Sequence, residues 1–164
     1  MKIESYIGVD NLLFTDNFKE ISNKLKEFKI EKGETMFMDK VNLTLFVEQL
    51  DLLITFNNKV GDSVECFEIN KKSIFFENMK LKYEFIEEFV KKLDPNIIID
   101  EEGFNSPKFG FGAFRTLSND KYSLYAKSVI VFNNDYLSKE MPTEEDIINF
   151  YLGDDYDSNS NPFE

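Results

Sequence analysis

Histidine is absent from the 164-residue chain, and with it go the commonest general base, the commonest metal ligand and every Ser-His or Cys-His nucleophile arrangement. The expectation is a protein with no catalytic metal, no cofactor and no enzymatic turnover. Tryptophan is absent too, while phenylalanine occurs 18 times, so flat rings without a polar handle must fill much of the core. The single cysteine, Cys66, cannot close an internal disulfide, in keeping with a reducing compartment. Its place in an alternating segment fits a buried, inert thiol. Long apolar runs are missing: Leu12 to Phe14 and Ile97 to Ile99 fall far short of the roughly 20 residues of a membrane helix. The opening MKIESYIGVDNLL puts Glu4 and Asp10 where an export signal needs an unbroken apolar stretch, so a cytoplasmic location is expected.

Basic charge is also scarce. Lysine and arginine total 19 against 31 acids, a formal charge of −12, and Arg115 is the only guanidinium available for forked phosphate recognition. Eight of the acids lie between Glu140 and Glu164, a stretch with no base. Such a balance repels nucleic acid and anionic membranes and complements a basic protein partner, though solubility alone also accounts for it.

The length suits one domain, with residues 1–153 read as folded and 154–164 as a flexible acidic tail. Phe18, Ile21, Leu25 and Phe28 draw one apolar stripe, predicting a helix capped by Thr15 or Asp16 and ended by Gly33. The period then changes to two. Val41, Leu43, Leu45 and Val47, then Leu52, Ile54 and Phe56, then Phe67 and Ile69 opposed to Val64 and Cys66, read as an antiparallel meander, with a turn at Asn57 to Asp62. Phe85, Ile86, Phe89, Val90 and Leu93 predict a second core-facing helix, stopped at Asp94-Pro95. Strands follow at Asn96 to Ile99, Phe109 to Arg115 and Tyr122 to Phe132, the last with Leu124, Ala126, Ile130 and Phe132 on one face. Thr143 and Asp146 resemble a capping box opening a short helix that Gly153 closes. The fold class is α+β: an antiparallel sheet with helices packed on one face. The order of elements suits a plain α+β domain, in which α-β-β-β is a common local order, and admits as the less favoured alternative two tandem α-β-β-β halves.

The stretch Asp100 to Arg115 gathers the residues that most invite a catalytic reading. Gly110 and Gly112 interrupt a phenylalanine alternation, and the spacing lacks both the third glycine and the following helix of a dinucleotide site. Asp100, Glu101 and Glu102 alternate in direction on an extended backbone, which suits a solvated turn better than a converging carboxylate pair. Asp155, Asp157 and Asn159 imitate the start of a calcium loop, but Ser160 replaces the glycine and the bidentate glutamate is missing. What remains is a surface. Tyr151, Asp154, Asp155, Tyr156 and Asp157 interleave aromatic anchors with negative charge, and together with Asp100, Glu101 and Glu102 they are the candidate contacts for a basic partner.

The segments FTDNFKEISNKLKEF, VNLTLFVEQLDLLITFNN and VECFEINKKSIFFEN, a helix followed by a meander, combine with the acidic surplus to give a profile that resembles the small acidic immunity proteins with which bacteria neutralise toxins. The resemblance runs from about Ile7 to Phe132 and carries no signature motif, so it transfers no individual residue. It implies stoichiometric occlusion of a toxin by carboxylates and aromatics. A regulatory or scaffold protein of another kind would share the composition, and an enzyme working through carboxylates alone would need two acids converging in a deep pocket.

Overall fold

The computed structural model describes residues 3–4, 6–37, 40–70, 75–76, 79–80, 82–118, 121–134 and 136. The chain divides into two compact units, Met1–Asn134 and Asp135–Glu164, and apart from Tyr136 every described residue belongs to the first. The expected short helix after Thr143, the boundary at residue 153 and the acidic tail lie outside the described residues.

The first unit begins with three two-residue strands, β1 (Ile3–Glu4), β2 (Gly8–Val9) and β3 (Leu12–Leu13), forming their own small sheet. Helix α1 (Phe18–Lys24) follows, then strands β4 (Ile30–Phe37), β5 (Lys40–Val47), β6 (Leu52–Phe56) and β7 (Val64–Ile69). A short hairpin, β8 (Phe75–Phe76) and β9 (Met79–Lys80), leads to α2 (Tyr83–Leu93) and to β10 (Ile98–Ile99), β11 (Gly103–Ser106) and β12 (Phe111–Phe114). A second hairpin, β13 (Leu117–Ser118) and β14 (Lys121–Tyr122), precedes β15 (Ser128–Phe132). Eight strands make one sheet in the order β10-β11-β12-β15-β7-β6-β5-β4, and every neighbouring pair in it is antiparallel.

Residues paired directly across an antiparallel sheet project to the same side, so the register separates the two faces. One row across all eight strands reads Ile30, Val47, Leu52, Ile69, Val129, Ala113, Phe104, Ile99, and every member is apolar. The six central members are buried. The adjacent row reads Glu31, Phe46, Leu53, Glu68, Ile130, Gly112, Asn105, Ile98, and none of these is buried except Gly112. The first face is therefore the core side. Phe18 of α1 packs its ring on Phe56 at 6.0 Å between centroids, and Tyr83 of α2 packs on Phe104 at 6.0 Å, placing both helices on that side. The α+β class with an antiparallel sheet is established.

Several local expectations change. The cap of α1 is Asn17, whose side chain accepts from the Lys19 and Glu20 amides while Glu20 reaches back to the Asn17 amide. Asp16 instead turns inward, accepting from the Leu13 amide and from Lys24. Gly33 ends no helix. It sits within β4 opposite Thr44, where a β-carbon would come within 3.0 Å of the threonine hydroxyl; a strand bearing Glu31, Lys32 and Glu34 at a sheet edge lacks the apolar alternation that marks an inner strand. In β7 the pairing jumps between Thr55 and Phe56, so that Phe56 faces Val64 and Thr55 faces Cys66, leaving Glu65 as the extra residue. This bulge brings Val64 onto the side of Phe67 and Ile69, with which the period of two had opposed it.

The segment Tyr122 to Phe132 is not one strand. The Ser123 hydroxyl donates to the Tyr125 carbonyl, and Tyr125 forms an isolated bridge with Lys82. After this break Val129 and Val131 face the core and Ile130 faces the other side; of the residues expected to share a face with it, Ala126 and Phe132 are buried and Leu124 is exposed.

Candidate partner-binding surface

Helix α2 buries Tyr83 and Val90 fully and Ile86 in part, the first, fourth and eighth positions of the helix. Phe85, Phe89 and Leu93, expected in the core, are 65%, 64% and 42% exposed. The geometry explains the difference. At 100° per residue Tyr83, Ile86 and Val90 define a narrow contact line, and Phe85, Phe89 and Leu93 form the i, i+4, i+8 ridge beside it, which turns from the solvent side at Phe85 toward the contact line at Leu93. The apolar stripe in the sequence is real, but it is wider than the area the sheet can cover. On its solvent side runs the ridge Glu84, Glu88, Lys92.

The end of α2 is held firmly. Asp94 is buried, and its carboxylate accepts from the Ser106 hydroxyl at 2.5 Å, from the Lys108 amide at 3.0 Å and from the Asn96 amide at 2.9 Å. The Lys108 ammonium caps the Leu93 carbonyl at 2.7 Å. Burial pushes the Asp94 carboxyl up, but these donors outweigh it and hold it below the usual range. Ser106 is fully enclosed and its hydroxyl is occupied by Asp94, so the pair is a fastener between helix and sheet and offers no nucleophile to solvent.

The start of α2 is held by stacking. The Arg115 guanidinium lies 4.6 Å from the Tyr83 ring centroid and 4.3 Å from that of Tyr122, a sandwich that joins helix, β12 and the β13–β14 hairpin. Tyr83 is buried and its hydroxyl lies beside the Glu87 carboxylate, outside hydrogen-bond geometry. Burial first, and the nearby carboxylate second, raise that hydroxyl far above its ordinary value.

Asp100 to Glu102 form the turn between β10 and β11. The Asp100 carboxylate accepts from the Glu102 and Gly103 amides at 2.8 and 2.7 Å, so Asp100 builds the turn and leaves Glu101 and Glu102 exposed at its tip. Gly110 is a turn residue with φ +64°, where a β-carbon would run into the Tyr6 ring, whereas Gly112 lies in β12, where a β-carbon would meet Asn105 and the Phe104 carbonyl. An open hollow of about 290 Å³ on the uncovered face is lined by Glu68, Glu102, Arg115, Lys127 and Ile130, among others. Acids and bases line it in equal number, so it concentrates neither charge. Among the described residues no three metal-ligating side chains converge, and no helix is long and apolar enough to cross a membrane.

The structure thus places Asp100, Glu101 and Glu102 together on one turn; Tyr151, Asp154, Asp155, Tyr156 and Asp157 lie outside the described residues. The feature that periodicity missed is the α2 ridge. Its signal was available: six apolar residues in an eleven-residue helix exceed what a helix on one face of a sheet buries. From Glu84 to Glu102 the chain carries seven acids against two lysines, and exposed Ile98 and Ile99 follow in β10. The class defined by fold and surface is an α+β domain displaying an apolar helix ridge in acidic surroundings. No family model matches the chain, and no curated protein and no solved structure matches it.

Proposed function

We propose that this chain is a cytoplasmic acidic binding domain that neutralises a basic protein partner by stoichiometric occlusion, in the manner of bacterial toxin-immunity proteins. The observation that carries the reading is the exposed pair Phe85 and Phe89, set on a helix anchored at both ends and accompanied by a marked excess of acids. Large rings held rigidly at low entropic cost are favoured anchors of protein interfaces, and surrounding charge steers a partner of opposite sign. Glu101 and Glu102, exposed on their turn, are proposed to add to that field. Tyr151, Asp154, Asp155, Tyr156 and Asp157 are proposed contacts on composition alone. The protein acts without turnover, metal or cofactor.

We also read the first unit as a tandem arrangement. Phe18, Ile21 and Leu25 occupy the positions along the first helix that Tyr83, Ile86 and Val90 occupy along the second, and each helix is followed by four strands of the main sheet, one more than the spacing of apolar residues had suggested.

The test is capture of the partner with immobilised full-length protein, identification of the captured chain and titration of that chain's own activity. Loss of the partner's activity at one equivalent, with both chains intact, supports neutralisation. Undiminished activity in the saturated complex would make the protein a regulatory or scaffold component instead.

A further inference from the structure

We propose that the ridge Phe85, Phe89 and Leu93 is the docking line of the partner, and that its occupant is an amphipathic, cationic α-helix of that partner laid along α2; this rests on the neutralisation reading above and specifies where and what it binds. The three side chains follow one i, i+4, i+8 row, spanning nine residues and a rise of about 12 Å of helix, the kind of ridge that seats in the groove of a second helix. The row beside it carries Glu84 and Glu88 at the same spacing and ends in Lys92, while Lys82 lies over the Phe85 ring. A helix packed on the apolar row must pass its flank over the two carboxylates of that row, which favours lysine or arginine opposite them, and an acid opposite Lys92.

Charge also weighs against the simplest alternative occupant. A second copy of this chain would bring another −12, and in a parallel packing its own Glu84 and Glu88 against the first pair, whereas a cationic helix is attracted to both. The anchors are preorganised: the Asp94 bonds to Ser106, Lys108 and Asn96 fix one end of α2, and the Arg115 sandwich fixes the other. Little ordering is then left for binding to supply.

The experiment uses full-length protein and three synthetic 18-residue peptides: a lysine–leucine helix with leucines on one stripe, the same composition scrambled to abolish the stripe, and the striped peptide with glutamate for lysine. Fluorescence anisotropy measures affinity, and backbone amide shifts locate the site. Tight binding of the striped cationic peptide alone is expected, with shifts centred on α2. The variant Phe85→Ser/Phe89→Ser should weaken it by about tenfold or more with an unchanged melting curve, since both rings are mostly exposed; Glu84→Gln/Glu88→Gln should weaken it less and flatten its salt dependence. Equal binding of striped and scrambled peptides, equal binding by wild type and the double serine variant, or concentration-dependent self-association that the serine variant abolishes would each overturn the proposal. A partner still neutralised by the double serine variant would refute this docking line and leave neutralisation standing. A striped peptide that binds as expected, with no partner inhibited, would do the reverse.

Discussion

The two helices of this domain bury the same positions and differ on the opposite side. Phe18 and Ile21 of α1 and Leu25 at its C-cap meet the sheet while Lys19, Glu20, Asn23 and Lys24 face water. In α2, Tyr83, Ile86 and Val90 meet the sheet, yet the outward side carries Phe85 and Phe89 among its charges, with Leu93 part-exposed at the edge of the contact line. The capping differs as well: α1 starts with a complete capping box, whereas Lys82 at the start of α2 makes no side-chain cap bond. The contrast separates a helix that is apolar only toward the sheet from one that also leaves large apolar side chains in water, the feature on which the proposed docking line rests.

The sharpest way to break that comparison is to truncate one apolar side chain on each helix. Ile21, fully buried in α1, should lose roughly 2 to 5 kcal/mol on replacement by Ala. Phe89, 64% exposed in α2, should lose less than about 1 kcal/mol in the same urea titration, despite its greater size. A large loss at Phe89 would return that ring to the core and remove the basis for the docking line.

The same pair of positions shows how far the sequence could be read. Apolar periodicity located both helices and the strands at Leu43 to Val47 and Leu52 to Phe56, because a half-buried element has to repeat with its own geometry. It could not say how much of an apolar stripe the sheet would cover, and so it put Phe85 and Phe89 inside. It also failed where register depends on a single residue, at the Glu65 bulge and at the break around Ser123, since one added or skipped residue exchanges the faces of everything beyond it. The candidate surface was legible in its charge but not in its apolar half. Asp100 was legible as a turn residue, whereas the Asp94 fastener needed Ser106 and Lys108 brought in from a later strand and turn.

Acid should expose the asymmetry next, because the Asp94 network anchors only α2. Its folded-state carboxyl is held below the ordinary value, so the unfolded chain binds protons more readily, and the stability it contributes is present above about pH 4 and lost as pH falls through the lower, folded-state value. Asp94→Asn should abolish that part of the acid dependence. Tyr83 works in the opposite sense: its hydroxyl is raised, so its contribution is present below about pH 10 and declines as pH rises beyond it. Urea titrations from pH 3 to 7 and from 9 to 11 on wild type, Asp94→Asn and Tyr83→Phe measure both limbs. Parallel curves for wild type and Asp94→Asn at low pH would mean that the buried carboxylate is not what secures α2.

The smallest effect concerns the caps, and it tests whether the two helices can be made alike. Asn17→Ala removes the bonds to the Lys19 and Glu20 amides and should cost about 1 kcal/mol. The reciprocal change, Lys82→Asp, should gain about 0.5 to 1 kcal/mol, for reasons visible at the start of α2. Lys82 already has the extended backbone of a cap, with φ −73° and ψ 132°, so a short carboxylate there can accept from the free amides of the first turn without rearrangement. The substitution also replaces a positive charge at a helix N-terminus by a negative one, in the favourable sense of the helix dipole. Against these stands the loss of the Lys82 ammonium from above the Phe85 ring, 5.8 Å from its centroid, a contact that is weak because the ring is largely in water. Thermal melts of the two single variants and their combination should place Asn17→Ala below wild type, Lys82→Asp above it and the pair near it. If Lys82→Asp instead destabilises, the lysine is worth more over Phe85 or beside Tyr125 than as a vacant cap, and the ring belongs to the architecture of α2 instead of to its binding surface.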